Sequence, residues 1–364
     1  MRQPSARVDA LRQQLADKSL DAIVISSGSN RRWLTGFTGS AGSVVLGTST
    51  AHLISDSRYY EQVERQAPDF ELVRAGYQTN QTLNTLLTAL GARRVGFEAE
   101  HLSVAQLEGL RKALPDIDWQ ATDGLVTRLR AIKDADEIAI IRRAVRLADQ
   151  AMEHAYAIAR PGMTELELAW QLEVFLRERG AESLAFDTIV AAGENGALPH
   201  HHPSDRPIAA GEPIVIDMGA RVDGYCSDLT RTFSIGPATD PDYAAVWQIV
   251  SAANRAAEAG LRAGLTGPEG DALARDPITE AGYGDHFGHS LGHGVGLDVH
   301  ELPRLSQLAG DAPLEPGMVV TVEPGIYLPG RFGVRIEDMV LIGPDGAEVL
   351  SGVAREPSLV PSAV

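Results

Sequence analysis

Only one cysteine, Cys226, stands among the 364 residues, which excludes an internal disulfide and fits a reducing compartment. No run approaches the roughly 18 to 20 consecutive apolar residues needed to span a bilayer, so no membrane partner is expected. The opening Met1-Arg2-Gln3-Pro4-Ser5-Ala6-Arg7-Val8-Asp9 lacks the apolar stretch and small-residue cleavage site of a secretory leader. The expectation is a soluble, cytoplasmic protein. Basic residues are also in short supply, with 32 Lys and Arg against 49 Asp and Glu and a formal net charge of −17. That balance disfavours a nucleic-acid partner, whose phosphates call for a basic surface. What remains is an ordinary globular composition, 44% hydrophobic and 22% charged, in a chain long enough for two domains.

The first third alternates apolar runs with amphipathic segments. Residues 20–26, 43–46 and 94–97 read as strands, and 8–15, 59–66, 83–90 and 103–114 as helices, which argues an α/β domain. The pattern changes near residue 130, and we divide the chain into domains 1–128 and 129–364. Asp134 with Glu137 forms a capping signature ahead of an amphipathic helix carrying Ile138, Ile141, Val145, Ala148 and Met152 on one face. Arg160-Pro161-Gly162 ends it. Thr164 with Glu167 opens a second helix to Gly180, and a third runs from about Tyr243 to Leu261. Strands with hairpin signals lie between and after these helices. No solenoid repeat is visible.

Seven of the ten histidines fall between His200 and His300. Acidic residues are placed around them in a specific way. Asp217 ends the apolar run Pro213-Ile-Val-Ile, and Asp228 precedes Leu-Thr-Arg-Thr-Phe, with Asp223-Gly224 between as a hairpin signal. A loop centred between Val222 and Asp223 sets Asp217 directly opposite Asp228, about 4.5–5.5 Å apart at Cβ. A second turn centred on Gly330 sets Glu323 opposite Glu337. Like charges so placed repel unless a cation lies between them. His293, in the glycine-rich Gly288-His289-Ser-Leu-Gly-His293-Gly-Val-Gly, supplies nitrogen. Four carboxylates and an imidazole suit hard or borderline divalent ions, Mn²⁺ or Co²⁺ ahead of a closed Zn²⁺ site. Two such ions about 3.5–4 Å apart generate hydroxide at neutral pH and leave positions for water and substrate.

Asp217, Asp228, His293, Glu323 and Glu337, within IDMGA, YCSDLTRTF, HSLGHGVGLDVHE, TVEPGIY and VRIED, resemble the ligand set of the pita-bread metallopeptidases, in order and spacing over roughly residues 130–350. The preceding segment, through Trp33-Leu-Thr-Gly-Phe-Thr-Gly-Ser-Ala-Gly42 and Asp56-Ser-Arg-Tyr-Tyr-Glu-Gln62, resembles the amino-terminal domain of prolidases, aminopeptidase P and creatinase. The resemblance implies a creatinase/prolidase-like α/β domain followed by an α+β pita-bread catalytic domain with a curved, mainly antiparallel sheet. It implies hydrolysis of the peptide bond preceding proline in small peptides, by a homodimer whose amino-terminal domain walls the partner's site. On that resemblance Asp217 holds one ion, Asp228 and Glu337 bridge both, and His293 and Glu323 complete the other ion's ligands. Glu323 is then the general base, His200 a substrate-binding histidine, His300 a stabiliser of the tetrahedral intermediate, and His289 a further active-site histidine. Arg335, two residues before Glu337, shares its strand face and is suited to fixing substrate or carboxylates.

Prolidases cut Xaa-Pro dipeptides, whereas aminopeptidase P trims longer Xaa-Pro chains. Arg304 stands where prolidases carry a carboxylate-binding arginine, and its planar fork suits a free carboxylate; we therefore expect a dipeptidase, with aminopeptidase P as the alternative. GFTGSAG fits either branch. A non-catalytic relative would have lost ligands, creatinase works without metal, and a glycosidase leaves His293 and one acidic pair idle. Zn²⁺ remains chemically compatible with the ligand types, and the residue preferred before proline is not readable. His201 and His202 read as a solvated loop or as support for His200. His52, His101, His154 and His286 read as structural, and Cys226 as a small core residue. Thr230 and Arg231 are expected to orient Asp228.

Overall fold

The computed structural model describes residues 4–76 and 79–359. The chain divides into two compact units, residues 1–130 and 131–364.

The first unit is built on a six-stranded mixed sheet in the order Glu71–Arg74, Ala51–Ser55, Ser43–Gly47, Ala22–Ile25, Arg94–Glu98, Asp118–Thr122. Ala22–Ile25 pairs antiparallel with Ser43–Gly47 and parallel with Arg94–Glu98. Being covered on both faces, it is apolar at every position and buried throughout. Helices Pro4–Asp17, Thr79–Ala89 and Val104–Ala113 contribute Leu11, Leu15, Leu83, Leu87 and Leu110 to the buried set. Three strands escaped the sequence reading: Ala51–Ser55, Glu71–Arg74 and Asp118–Thr122. The last two are short edge strands with exposed polar positions, which blur their alternation.

The second unit is α+β, and its strand pairs are antiparallel save the short Ser358–Leu359 against Leu229–Ile235. It consists of two halves of like construction. In the first, helices Ala135–Ile158 and Glu165–Glu178 pack on the strands Ile189–Ala192, Pro213–Met218 and Leu229–Ile235. In the second, helices Tyr243–Gly260 and Gly267–Glu280 pack on Val319–Val322, Gly325–Leu328, Phe332–Arg335 and Asp338–Ile342. Local details recur between the halves. Gly162 and Gly264 share a φ of +90° and donate to Ile208 O and Leu314 O respectively, both at 2.9 Å. Thr164 and Thr266 each cap the next helix through a capping box closed by Glu167 and Glu269. No helix among the described residues is long and apolar enough to cross a membrane.

Each half carries one acidic ribbon. In the first, Asp223 and Gly224 both adopt positive φ, +47° and +82°, which makes a two-residue type I′ turn. The turn is thus centred one residue later than expected, and Asp217 lies opposite Thr230, with Met218 opposite Leu229. Asp217 and Asp228 are therefore diagonal rather than facing neighbours, about 7–8 Å apart on the same face. The error leaves the face unchanged because it moves the partner by two residues. In the second ribbon Gly325 pairs with Arg335 and Val322 with Asp338, both in register with a turn centred on Gly330, so Glu323 faces Glu337 as expected.

Gly333 fixes how the second ribbon meets the segment that bears His200. A Cβ there would fall within 2 Å of Gly196 O (1.9 Å), a backbone atom that has no room to retreat. Gly333→Ala is expected to destabilise this unit by about 2–3 kcal/mol. Gly330→Ala, at φ +71° with no atom within 4 Å, should cost only about 1 kcal/mol, from its backbone conformation. Thermal unfolding of both variants compares them, and equal shifts would show that the close approach is relaxed in solution.

Candidate metal centre

The two ribbons and the strand Gly292–Gly294 converge. Asp228, His293 and Glu337 bring one ligand atom each within 4.8 Å of one another. His293 Nε2 lies 3.2 Å from Glu323 Oε1 and 3.8 Å from Asp228 Oδ2. Its Nδ1 faces Gly294 O at 3.2 Å, which leaves Nε2 turned toward the carboxylates. Asp217 joins through Arg335 and through its charge, felt by both Asp228 and Glu337. All five residues thus share one locus, with Asp228 and Glu337 buried and Asp217, His293 and Glu323 half-buried.

The site's electrostatics carry the strain of that convergence. Burial, then the charges of Glu337, Asp217 and Glu323, push the Asp228 carboxyl well above its ordinary value of 3.8. Burial, then Glu323 and Asp217, do the same to Glu337. Burial also raises Asp217, against the opposing charge of Arg335. Glu323 behaves differently. Burial pushes it up, but the hydrogen bond from His293 and the charges of His293, His289 and Arg335 outweigh this and hold it at about 2. Burial and the His293 charge lower His300, whose ring packs edge-on to that of His293 at 4.2 Å.

Supporting groups fix each carboxylate. Arg335, 4% exposed, donates to Asp217 Oδ2, to Thr230 Oγ1 (3.1 Å), to Tyr327 Oη (3.0 Å) and to Pro199 O (3.3 Å). Its guanidinium is committed to protein acceptors, so it clamps Asp217. Tyr327 Oη in turn meets His289 Nε2 at 2.9 Å, while His289 Nδ1 faces Ser290 O at 2.8 Å, so both ring nitrogens of His289 are engaged within the chain. Thr230 Oγ1 donates to Glu337 Oε2 at 2.7 Å, and Arg231 bonds Glu337 O and Asp338. These two residues therefore orient Glu337, not Asp228 as the sequence suggested. Thr321 Oγ1 accepts from His293 N (3.0 Å) and donates to Glu323 Oε1 (3.2 Å).

Tyr327 and Thr321 went unnoticed in the sequence. The strand period gave a usable signal, since 321, 323, 325 and 327 alternate onto one face. His200 lines an open depression of about 560 Å³ with Leu198, Pro199, His201 and His202. Arg304 lies directly opposite His293 in the antiparallel pair with Glu301–Leu305, so their side chains share a face. Its charge reaches His300.

The donor set fits divalent cations. Oδ1 of Asp217 is buried without a hydrogen-bond partner, an arrangement that is costly unless a cation supplies the missing contact. Without metal, ionised Asp228 destabilises the fold above its raised pKa, and the penalty vanishes as pH falls into the ordinary carboxylate range. Metal-free Asp228→Asn is accordingly expected to unfold several degrees above the metal-free wild type near pH 8, one pKa unit being worth about 1.4 kcal/mol. That gain should shrink steadily towards pH 4, where the aspartic acid is itself neutral. A pH-independent difference in calorimetric melting would contradict the electrostatic account.

Comparison with known proteins bears on the same residues. Residues 139–344 match metallopeptidase family M24, and residues 7–132 match the Creatinase/Prolidase N-terminal domain. A solved Xaa-Pro dipeptidase from Bacillus anthracis is 41% identical, with TM-score 0.95, covering 98% of this chain and 99% of that one. The X-Pro aminopeptidase from Thermotoga maritima MSB8 is 39% identical with TM-score 0.86, covering 93% of this chain and 98% of that one. The Xaa-Pro dipeptidase of Pyrococcus horikoshii is 37% identical over 93% of this chain and 94% of its own length. With a creatinase/prolidase amino-terminal domain ahead of a pita-bread unit whose two acidic ribbons close on His293, the chain belongs to metallopeptidase family M24.

Proposed function

We propose that the chain hydrolyses the peptide bond preceding proline in Xaa-Pro dipeptides, with two divalent ions, Mn²⁺ or Co²⁺ ahead of Zn²⁺. The observation that carries this reading is the gathering of Asp217, Asp228, His293, Glu323 and Glu337 at one locus, in a chain that resembles Xaa-Pro dipeptidases along its whole length. Asp217 would hold one ion, His293 and Glu323 the other, with Asp228 and Glu337 shared. When bound, the ions supply Lewis acidity and lower the pKa of a coordinated water.

The chain's own residues do the rest. Glu323 takes the proton of the attacking water and passes it to the leaving nitrogen. The His293 proton that holds Glu323 down must leave before Nε2 can act as a ligand, and its loss restores basicity to the carboxylate. His300, held neutral by its burial, donates N–H to the oxyanion that forms on the scissile carbonyl. His200 engages the substrate from the wall of the depression. Arg304, exposed on the His293 face, takes the free carboxylate after proline. Arg335 and His289, tied into the Asp217–Tyr327 network, act on the site's carboxylates rather than on substrate. The single cysteine fits a reducing cytoplasm, and the family resemblance carries the expectation of a homodimer.

Release of the first residue from longer Xaa-Pro peptides is the second reading, favoured by the likeness to the Thermotoga maritima X-Pro aminopeptidase. Chelator-treated protein should be inactive and regain hydrolysis of an Xaa-Pro dipeptide with Mn²⁺, leaving an Xaa-Pro-Yaa tripeptide untouched. Cleavage of the tripeptide at its first bond would move the assignment to the second reading, and full activity after metal removal would end both. Replacing Arg304 by Ala should reduce kcat/KM for the dipeptide about 10- to 100-fold, the loss of a charged hydrogen-bond pair. If that substitution costs a tripeptide as much, Arg304 does not read the carboxylate.

A further inference from the structure

Outside the candidate ligands, the molecule holds another buried carboxylate with an unusual set of partners. Glu165 opens the helix Glu165–Glu178 and is 0% exposed. Its Oε1 accepts from Ala192 N (2.8 Å) and Asn195 Nδ2 (3.0 Å). Its Oε2 meets His201 Nε2 (2.9 Å), Ser204 N (3.1 Å) and Ser204 Oγ (2.7 Å). Every one of these partners belongs to residues 192–204, two upstream and two downstream of His200. The helix start reinforces the grip, with Leu166 N donating to Ser204 O (3.1 Å) and Glu165 N to Arg206 O (3.2 Å). Burial alone would raise the Glu165 carboxyl, but the hydrogen bonds from Ala192, Asn195, Ser204 and His201 outweigh it and keep the group below its usual range.

We propose that Glu165 is a positioning residue for His200, holding both ends of segment 192–204 so that the His200 imidazole stands in the wall of the depression it forms with Leu198, Pro199, His201 and His202. The inference rests on the reading of His200 as a substrate-binding group. The middle of the segment is held from the other side, by Arg335 NH1 on Pro199 O (3.3 Å) and by the backbone of Gly333 against Gly196. Between those two clamps Leu198 and His200 remain exposed, as contact with a substrate requires. A carboxylate suits this task because it accepts at both oxygens. Glutamine at 165 would turn its NH₂ either to Ala192 N–H and Asn195 or to Ser204 N–H, and a backbone N–H cannot reverse its role.

The test is a double-mutant cycle with Glu165→Gln and His200→Ala, in metal-loaded protein of measured metal content and melting temperature. Glu165→Gln is expected to lower kcat/KM about tenfold, chiefly through KM, in the wild-type background and less than about threefold in His200→Ala. Amide exchange at Ala192 and Ser204 should quicken in Glu165→Gln with the metal content unchanged. Should that variant fail to fold, Ser204→Ala removes one of the donors and is expected to show the same pattern at smaller amplitude. Equal losses in both backgrounds, or exchange over residues 192–204 that does not change, would overturn the proposal and assign Glu165 to stability alone. If the wild type hydrolyses no Xaa-Pro peptide, the functional reading fails, while the exchange measurement still decides whether Glu165 holds the segment.

Discussion

Four carboxylates and one imidazole meet in one cluster with little exposure to solvent, and mutual repulsion of the carboxylates governs the design of the second unit. At an effective dielectric near 20, two unit charges 4 Å apart interact by about 4 kcal/mol, so several such pairs rival the whole stability of a domain. The chain answers this unevenly. Asp217 receives Arg335, Glu323 receives His293, and Glu337 receives the hydroxyl of Thr230. Among the described residues, the one ion-pair distance to Asp228 is that of His293 at 3.8 Å, and burial works against its charge. One guanidinium and one imidazole do not balance four acids. The remaining charge is what divalent cations would supply, and the unpartnered Oδ1 of Asp217 points to the same deficit.

Holding such groups together demands rigid backing, which the alternation of strand side chains provides. Glu337 faces the site, and its neighbour Asp338 faces away, into a buried network with Arg231 and Arg355, the latter also bound to Glu258. Asn254 ties Val322 O and Ile336 O, on either side of the Glu323–Glu337 pair. On the neighbouring strand Asp271 fixes Leu291 N, and Arg275 fixes Phe287 O and His289 O, so that the approach to His293 is held by helix Gly267–Glu280. Asp271 and Glu165 sit on corresponding helices of the two halves, and each holds a histidine-bearing loop from beneath. A fold repeated in this way sets two acidic ribbons face to face, with Arg335 of the second ribbon reaching across to Asp217 of the first.

The site was legible in the sequence because strand periodicity survives small errors. The first turn was misplaced by one residue, yet the two-residue change of partner kept Asp217 and Asp228 on one face. Had the turn erred by half as much, the carboxylates would have separated. What was not legible depended on contacts distant in the chain. Strand alternation puts Tyr327 and Thr321 on the Glu323 face without saying what they bind, Glu165 carries no local signature, and the orientation of Glu337 by Thr230 arises only once the ribbons cross. The helix Gly267–Glu280 was hidden for a different reason. Gly267, Pro268, Gly270 and Pro277 spell a loop, but Pro268 falls in the first turn, where its missing N–H costs nothing, and Gly270 permits Leu305 to pack closely. The capping pair Thr266 and Glu269 was the readable clue.

On the proposed reading of Arg304, substrate choice is built on the same strands as the proposed ligands. Arg304 stands across from His293, exposed, while the ligand-bearing residues around it are buried or half-buried and tied down. A change at 304 would therefore alter what lies beyond proline without moving a carboxylate. Arg335 illustrates the contrary case: its four acceptors include Asp217 and Tyr327, so no substitution there can affect substrate alone. Selectivity between a dipeptide and a longer chain, on the reading proposed here, is confined to exposed positions laid over an immobile centre.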